Sequence, residues 1–157
     1  MPLGRFRLRS IELLLIIFKL HRQPLYDAII KSEVLGSLNS LVHRYMWNNF
    51  LHLKVQYIWT EIITVSQNAE FRKTCMFHSN IGKELSNLGE SNHYTHASER
   101  QNRAGHMGLV TQISNLLRKS EKEEVKEYVA SLDKAWTDFV EGELKETNSK
   151  NEKSLGD

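Results

Sequence analysis

Residues 45–65 read YMWNNFLHLKVQYIWTEIITV, and the second half of that stretch decides the fold. Leu51, Val55, Ile58 and Ile62 recur at steps of three and four residues, the spacing that lines one face of an α-helix. Tyr57, Trp59 and Ile63 broaden the stripe towards Val65. Just ahead, Asn48 or Asn49 offers a short side-chain oxygen to the N–H groups that a helix start leaves unsatisfied. Tyr45 to His52 therefore reads as a helix end, an Asn-capped turn and the start of the next helix.

Working outward, Leu8, Ile11, Leu15 and Phe18 show the same spacing, and Leu13 and Leu14 widen it into a helix expected to be buried on most of its circumference. The two helices repeat one another at an offset of 44 residues: Leu8 aligns with His52, Ile11 with Val55, Leu15 with Trp59 and Phe18 with Ile62. That offset falls in the roughly 40 to 47 residue period of HEAT and armadillo repeats, in which each helix set cannot bury its own apolar face and stacking the next set completes the core. The fold class expected is all-α, an armadillo/HEAT-like helical-repeat solenoid segment. Between the two, Pro24 suits the first turn of a short helix carrying Leu25, Ala28 and Ile29, and Ser32 reads as the N-cap of a third helix, from Val34 to about Tyr45.

Downstream, residues 70–88 hold one or two short helices. Gly89 to Gly105 has little apolar beyond Tyr94 and reads as an exposed loop. Met107 to Leu117, Val125 to Val129 and Leu132 to Leu144 give three further helices. The expected organisation is one repeat domain over 1–147, with a loop at about 89–105 and a polar tail over 148–157.

The sequence has one cysteine, Cys75, so no intramolecular disulfide can form, which suits a reducing compartment, the cytoplasm and also the nucleus. The net charge of +2 hides an asymmetry: residues 1–60 carry 8 basic and 3 acidic groups, residues 121–157 carry 6 and 11. The two ends are suited to different partners. Arg5, Arg7 and Arg9 lack the interleaved aromatics and reader motif of a nucleic-acid surface. The apolar run Leu13 to Phe18 is bounded by Glu12 and Lys19 and is far short of the roughly 20 residues of a membrane span, so neither nucleic acid nor membrane is expected as a partner.

Catalytic chemistry finds no matching pattern, and no cofactor is expected. Cys75-x-x-His78 with His93-x-x-His96 has zinc-ligand spacing, but Cys75 lies among Phe71, Met76 and Phe77 like a small core residue, and a metal site is not expected. Gly105-x-x-Gly108 lacks the lysine and preceding strand of a phosphate loop. Glu121, Glu123, Glu124 and Glu127 alternate with Lys122 and Lys126 in the manner of a solvated helix face. Trp47, Trp59 and Trp136 read as core or interface anchors.

Several blocks also carry a family pattern. Tyr45-Met46-Trp47-Asn48-Asn49-Phe50-Leu51-His52-x-x-Val55 resembles the Y-x-W-N-N-x-L-H-x-x-V signature of the SAPS family, the phosphatase-associated regulatory subunits of protein phosphatase 6. Pro2-Leu3-Gly4 with Arg7-Leu8, Gly105-x-Met107-Gly108-x-x-Thr111-x-Ile113-x-Asn115, Trp136-x-x-Phe139-Val140, and Leu144-x-Glu146-Thr147-Asn148-x-x-Asn151 with Leu155-Gly156 follow in the family's order. His106 stands where the family usually has Tyr, Leu109 where it usually has His, and 70–103 is hardly recognisable. The chain is similar to the C-terminal part of the SAPS domain.

The resemblance implies a helical-repeat scaffold and a non-catalytic role: binding the protein phosphatase 6 catalytic subunit, with ankyrin-repeat regulatory subunits as further partners, and modulating dephosphorylation of phosphoserine and phosphothreonine. Tyr45, Trp47, Asn48, Asn49 and His52 are the expected partner-binding residues, with Asn48 and Asn49 open to a second role as caps. The alternative is a truncated or degenerate helical-repeat interaction module without phosphatase binding. Either way the first helix, lacking a polar outer face, is expected to promote self-association.

Overall fold

The apolar spacing in residues 45–65 produces helix α4 (Asn49–Thr60), which runs on through a π-helical turn, Glu61–Val65. Leu51, Val55, Ile58, Trp59, Ile62 and Ile63 are all buried along it. The computed structural model describes residues 3–90, 93–95 and 101–153. Before α4 lie α1 (Arg5–Lys19), α2 (Gln23–Lys31) and α3 (Val34–Arg44); after it come α5 (Ala69–Ser79) and α6 (Ile81–Glu90). The chain continues with α7 (Met107–Lys119), α8 (Glu123–Ala130) and α9 (Lys134–Phe139). A second π turn, Val140–Leu144, leads without a break into α10 (Lys145–Lys153).

These helices stack in triplets. α4 packs between α1 and α7, α5 between α2 and α8, and α6 between α3 and α9. Like sits on like, so each triplet finishes burying the apolar stripes of the one before it. The starts of α1 and α4 are 44 residues apart, those of α2 and α5 46, and those of α3 and α6 47. The chain is thus an all-α helical-repeat segment, and the offset read from the sequence is its repeat. From α4 to α7 the offset grows to 58, because the connection from α6 carries a small antiparallel ladder in which β1 (His93–Thr95) pairs with β2 (Gln101–Arg103).

Local chemistry explains where the helices begin and end. Asn48, Asn68 and Asp133 each accept a hydrogen bond from the backbone N–H three residues on, at 3.0, 2.8 and 3.3 Å. Gly4 begins α1 at φ 82°, a left-handed conformation that only glycine adopts without penalty. Glu33 and Asn80 sit at the α2–α3 and α5–α6 junctions with φ 51° and 48°. They are 47 residues apart, so the same bend recurs in successive triplets. Aromatic rings join the triplets as well: Phe71 of α5 stacks on Tyr26 of α2 at 3.8 Å and meets Phe18 of α1 at 6.1 Å.

Four expectations change. α1 is not buried on most of its circumference: Ile11 and Phe18 are buried, whereas Phe6, Leu13 and Ile16 are exposed, because neighbours cover one face only. Ser32 caps the end of α2, its Oγ donating to the Ile29 carbonyl, and Glu33 takes the N-cap position of α3. α6 continues through a buried Gly89, whose missing side chain makes room for the Phe139 ring, so the loop begins later than Gly89. Asn148 to Lys153, read as tail, are helical in α10. Among the described residues, no helix is long and apolar enough to cross a membrane.

Candidate partner-binding junction

The turn from α3 into α4 is built around one carbonyl. Tyr45 O accepts from the Asn48 backbone N–H at 2.9 Å and from the His52 ring Nε2 at 3.1 Å, so a side chain in the first turn of α4 ties that helix to the end of α3. Nε2 must carry the proton to make this bond. Burial lowers the His52 pKa below its ordinary 6.5 and the nearby His106 adds to this, while the Tyr45 and Gly105 backbone pull the other way. The ring is held neutral.

A second histidine does the same work one repeat later. His106, at the N-cap of α7, is wholly buried and bonds through Nε2 to the Leu88 carbonyl in α6 at 3.0 Å. Its pKa too lies below 6.5, through burial first and through His43 second, against the Leu88 bond. Each junction from third helix to first is thus strapped by a neutral imidazole.

Three sequence blocks that are far apart in the chain converge here. Arg7 Nη1 donates to the Leu3 carbonyl at 3.2 Å and reaches the Tyr45 hydroxyl at 3.5 Å. A Cβ at residue 105 would stand 2.6 Å from the Met46 carbonyl oxygen and 2.7 Å from Trp47 Cε3, so only glycine lets the loop before α7 lie against the 46–47 turn. Leu3, Arg44, Tyr45, Trp47, Asn48 and Phe50 line a shallow depression of about 550 Å³ on the outside.

Of the five residues expected to bind a partner, Asn48 and His52 have their polar groups engaged inside the turn. Tyr45 is half-buried, with the Arg44 guanidinium 5.8 Å from its ring centre. Trp47 and Asn49 face outward. Next to them Phe50 and Leu53 are exposed as well, and so is Tyr57, which was expected to broaden the buried stripe but faces away from the core. Their spacing of three and four residues was the available signal, since it repeats the core stripe on the opposite side of α4.

Two further polar assemblies lie on the third triplet. Asn115 of α7 and Asn148 of α10 exchange side-chain amide bonds at 2.9 Å in each direction, beside a groove of about 990 Å³ reached by Thr111, Gln112, Lys122 and Lys145. The charges around α8 are more than a solvated face. Lys122 Nζ donates to the Thr64 and Ser66 carbonyls at 2.8 and 3.1 Å, and the buried Arg72 donates to Ser66 O at 2.9 Å while its Nη1 lies 2.8 Å from a Glu124 oxygen. Burial lowers the pKa of both cations, and Glu124 opposes that shift. The Thr64 and Ser66 carbonyls at the end of the π turn attract them.

For metal or nucleophilic chemistry the arrangement offers little. Cys75 is buried and its thiol is pushed up to about 12 by desolvation, so it stays protonated, and His78 of the same helix is exposed. The His93 side chain and His96 lie outside the described residues. Among those described, no three His, Cys, Asp or Glu side chains are grouped to hold a metal ion.

Comparison with known proteins supplies a wider setting. The model of the SAPS family, SIT4 phosphatase-associated protein, matches residues 25–153. The chain is 24% identical to serine/threonine-protein phosphatase 6 regulatory subunit 3-A of Xenopus laevis, with 96% of this chain and 20% of that protein covered. To regulatory subunit 1 of Mus musculus it is 25% identical, with the same coverage, and to that of Homo sapiens 24%, with 19% of the human protein covered. The chain therefore spans about a fifth of the length of the curated relatives it matches. No solved structure matches it.

Proposed function

The chain belongs to the SIT4 phosphatase-associated protein (SAPS) family, and from that premise we propose that it is a non-catalytic regulatory segment that binds the protein phosphatase 6 catalytic subunit. In this role it modulates removal of phosphate from phosphoserine and phosphothreonine substrates, and ankyrin-repeat regulatory subunits join the same assembly. The observation that carries the reading is the family match over 25–153, reinforced by relatives whose names describe phosphatase 6 regulatory subunits. A stack of helices with an exposed Trp47 and Phe50 beside a rigid turn suits a binding role, since aromatic anchors on a fixed scaffold lose little entropy on association. Within the junction, Trp47 and Asn49 make contact while Tyr45, Asn48 and His52 hold the turn. A single buried thiol fits residence in the cytoplasm and nucleus.

Co-precipitation from cells expressing the tagged chain tests this, with a full-length SAPS protein as positive control. Recovery of the phosphatase 6 catalytic subunit is expected. If the control recovers it and the chain does not, the regulatory reading falls and a helical-repeat interaction module without phosphatase binding takes its place.

A further inference from the structure

α1 and α4 each carry a second apolar stripe on the side away from the core. Phe6 is 85% exposed and Leu13 58%; Phe50 is 72% exposed and Tyr57 53%. Phe6 precedes Phe50, and Leu13 precedes Tyr57, by the 44 residues that separate the starts of α1 and α4. Two stacked helices thus present equivalent side chains side by side, as the rungs of a ladder, with Leu53 and Trp47 at its edge. α4 has a stacked neighbour on both sides, so its outward stripe is not a repeat-stacking surface left open. At the same offset on α7, 58 residues on, stand Gly108 and Asn115, and the ladder stops. Beyond Phe77 no described residue exposes a large hydrophobic side chain. Contiguous exposed apolar surface of this kind marks an interaction site rather than ordinary scatter.

The charge around the ladder specifies what fits it. α1 and α4 carry Arg5, Arg7, Arg9, Lys19 and Lys54 against Glu12 alone. Glu12 is already held by Lys54 at 2.8 Å and by Arg9 at 2.7 Å. A partner must bring both apolar anchors and negative charge. The acidic half of a second copy satisfies the charge, but its described residues expose no large hydrophobic side chain to meet the rungs. A second ladder would set like arginines against each other.

We propose that the ladder of Phe6, Leu13, Phe50 and Tyr57 docks an acidic amphipathic segment of another protein, with Leu or Phe along one face and Asp or Glu beside it. This rests on the reading that the chain works by binding protein. Aromatic rings rimmed by arginine are the anchors that protein interfaces favour, and the surrounding positive charge steers an acidic partner onto them.

The test titrates the full chain into a fluorescein-labelled synthetic helix of alternating Glu and Leu faces. A scrambled isomer of the same composition and vesicles of phosphatidylcholine with phosphatidylserine are run in parallel. The helix is expected to bind, with affinity falling on added salt and falling at least about tenfold in the exposed double variant Phe50→Ser, Tyr57→Ser. The variant keeps its circular dichroism, and Gln112→Ser on α7 leaves binding unchanged. Equal binding by the double variant, equal binding of the scrambled isomer, or no binding at all overturns the proposal. So does ladder-dependent binding to vesicles without the helix, which would make the surface a membrane contact, or a dimer that the double variant abolishes while the helix stays free. Recovery of the phosphatase catalytic subunit is read separately: its persistence in the double variant that has lost the helix supports a ladder serving a partner other than the catalytic subunit and leaves the regulatory reading standing, whereas helix binding without the catalytic subunit overturns the regulatory reading alone.

Discussion

Asn48 gives its side-chain oxygen to the Leu51 N–H, whereas its neighbour Asn49 is exposed at the first position of α4. Asn48→Ala is expected to cost about 1 kcal/mol, the usual worth of an N-cap. Asn49→Ala should change stability by less than about 0.5 kcal/mol. Urea midpoints at constant m-value check both, and equal losses would contradict the assignment. The buried histidines bear on pH. In the unfolded chain His52 and His106 protonate near their ordinary 6.5; in the folded protein burial holds both below it. As pH falls through 6.5 the unfolded state takes up protons that the folded state does not, so stability declines there and levels off once the folded rings protonate. Urea unfolding from pH 7.5 to pH 5 should show the fall, and His52→Gln with His106→Gln should flatten it; an unchanged slope would refute the straps. Asn48 was legible in the sequence because capping is a local rule. His106 was not, since its burial depends on a carbonyl 18 residues away.

At the level of elements, periodicity identified most helices because each buries one stripe. The same rule reports that a side chain is apolar without reporting whether a neighbour covers it, which is why Tyr57 reads as part of the buried stripe and yet is exposed. Junctions were harder to read. Ser32 has the chemistry of an N-cap, yet the backbone turns at Glu33, which occupies a left-handed conformation costly for a non-glycine residue. Glu33→Asn is expected to stabilise the chain by about 0.5 to 1 kcal/mol, because Asn tolerates that region. Thermal unfolding measures it, and a loss would show that the Glu33 side chain has another task. The acidic run of α8 looked like surface until its partners were placed. Glu124→Gln removes the charge facing the buried Arg72, at an expected cost of about 2 kcal/mol. The same change at Glu123, which is exposed, should be nearly neutral.

Across the whole molecule the 44-residue offset carried the architecture, since a repeat must reproduce itself to stack. What the offset did not disclose is how the third triplet differs, with its polar outward positions on α7 and its long final helix. α1, α3 and the exposed Leu13 border an apolar groove of about 320 Å³ on the first triplet. The chain is therefore expected to self-associate weakly, and more at high salt, where screening relieves the repulsion between arginine clusters. Light scattering at low and high sodium chloride tests this, and a monodisperse monomer in both would contradict it. Docking of an acidic helix has the opposite salt dependence, so the two processes can be told apart.

The ladder between α6 and α7 has a use in protein engineering. Its strands leave and return side by side, Thr95 opposite Gln101 and His93 opposite Arg103, and α7 still stacks on α4 although the offset has grown. The repeat array thus tolerates extra chain at this port, where doubling the length of a connection costs only about 0.6 kcal/mol in closure entropy. An epitope or a fluorescent domain inserted between Thr95 and Gln101 would report on the array while leaving the stacked helices as they are.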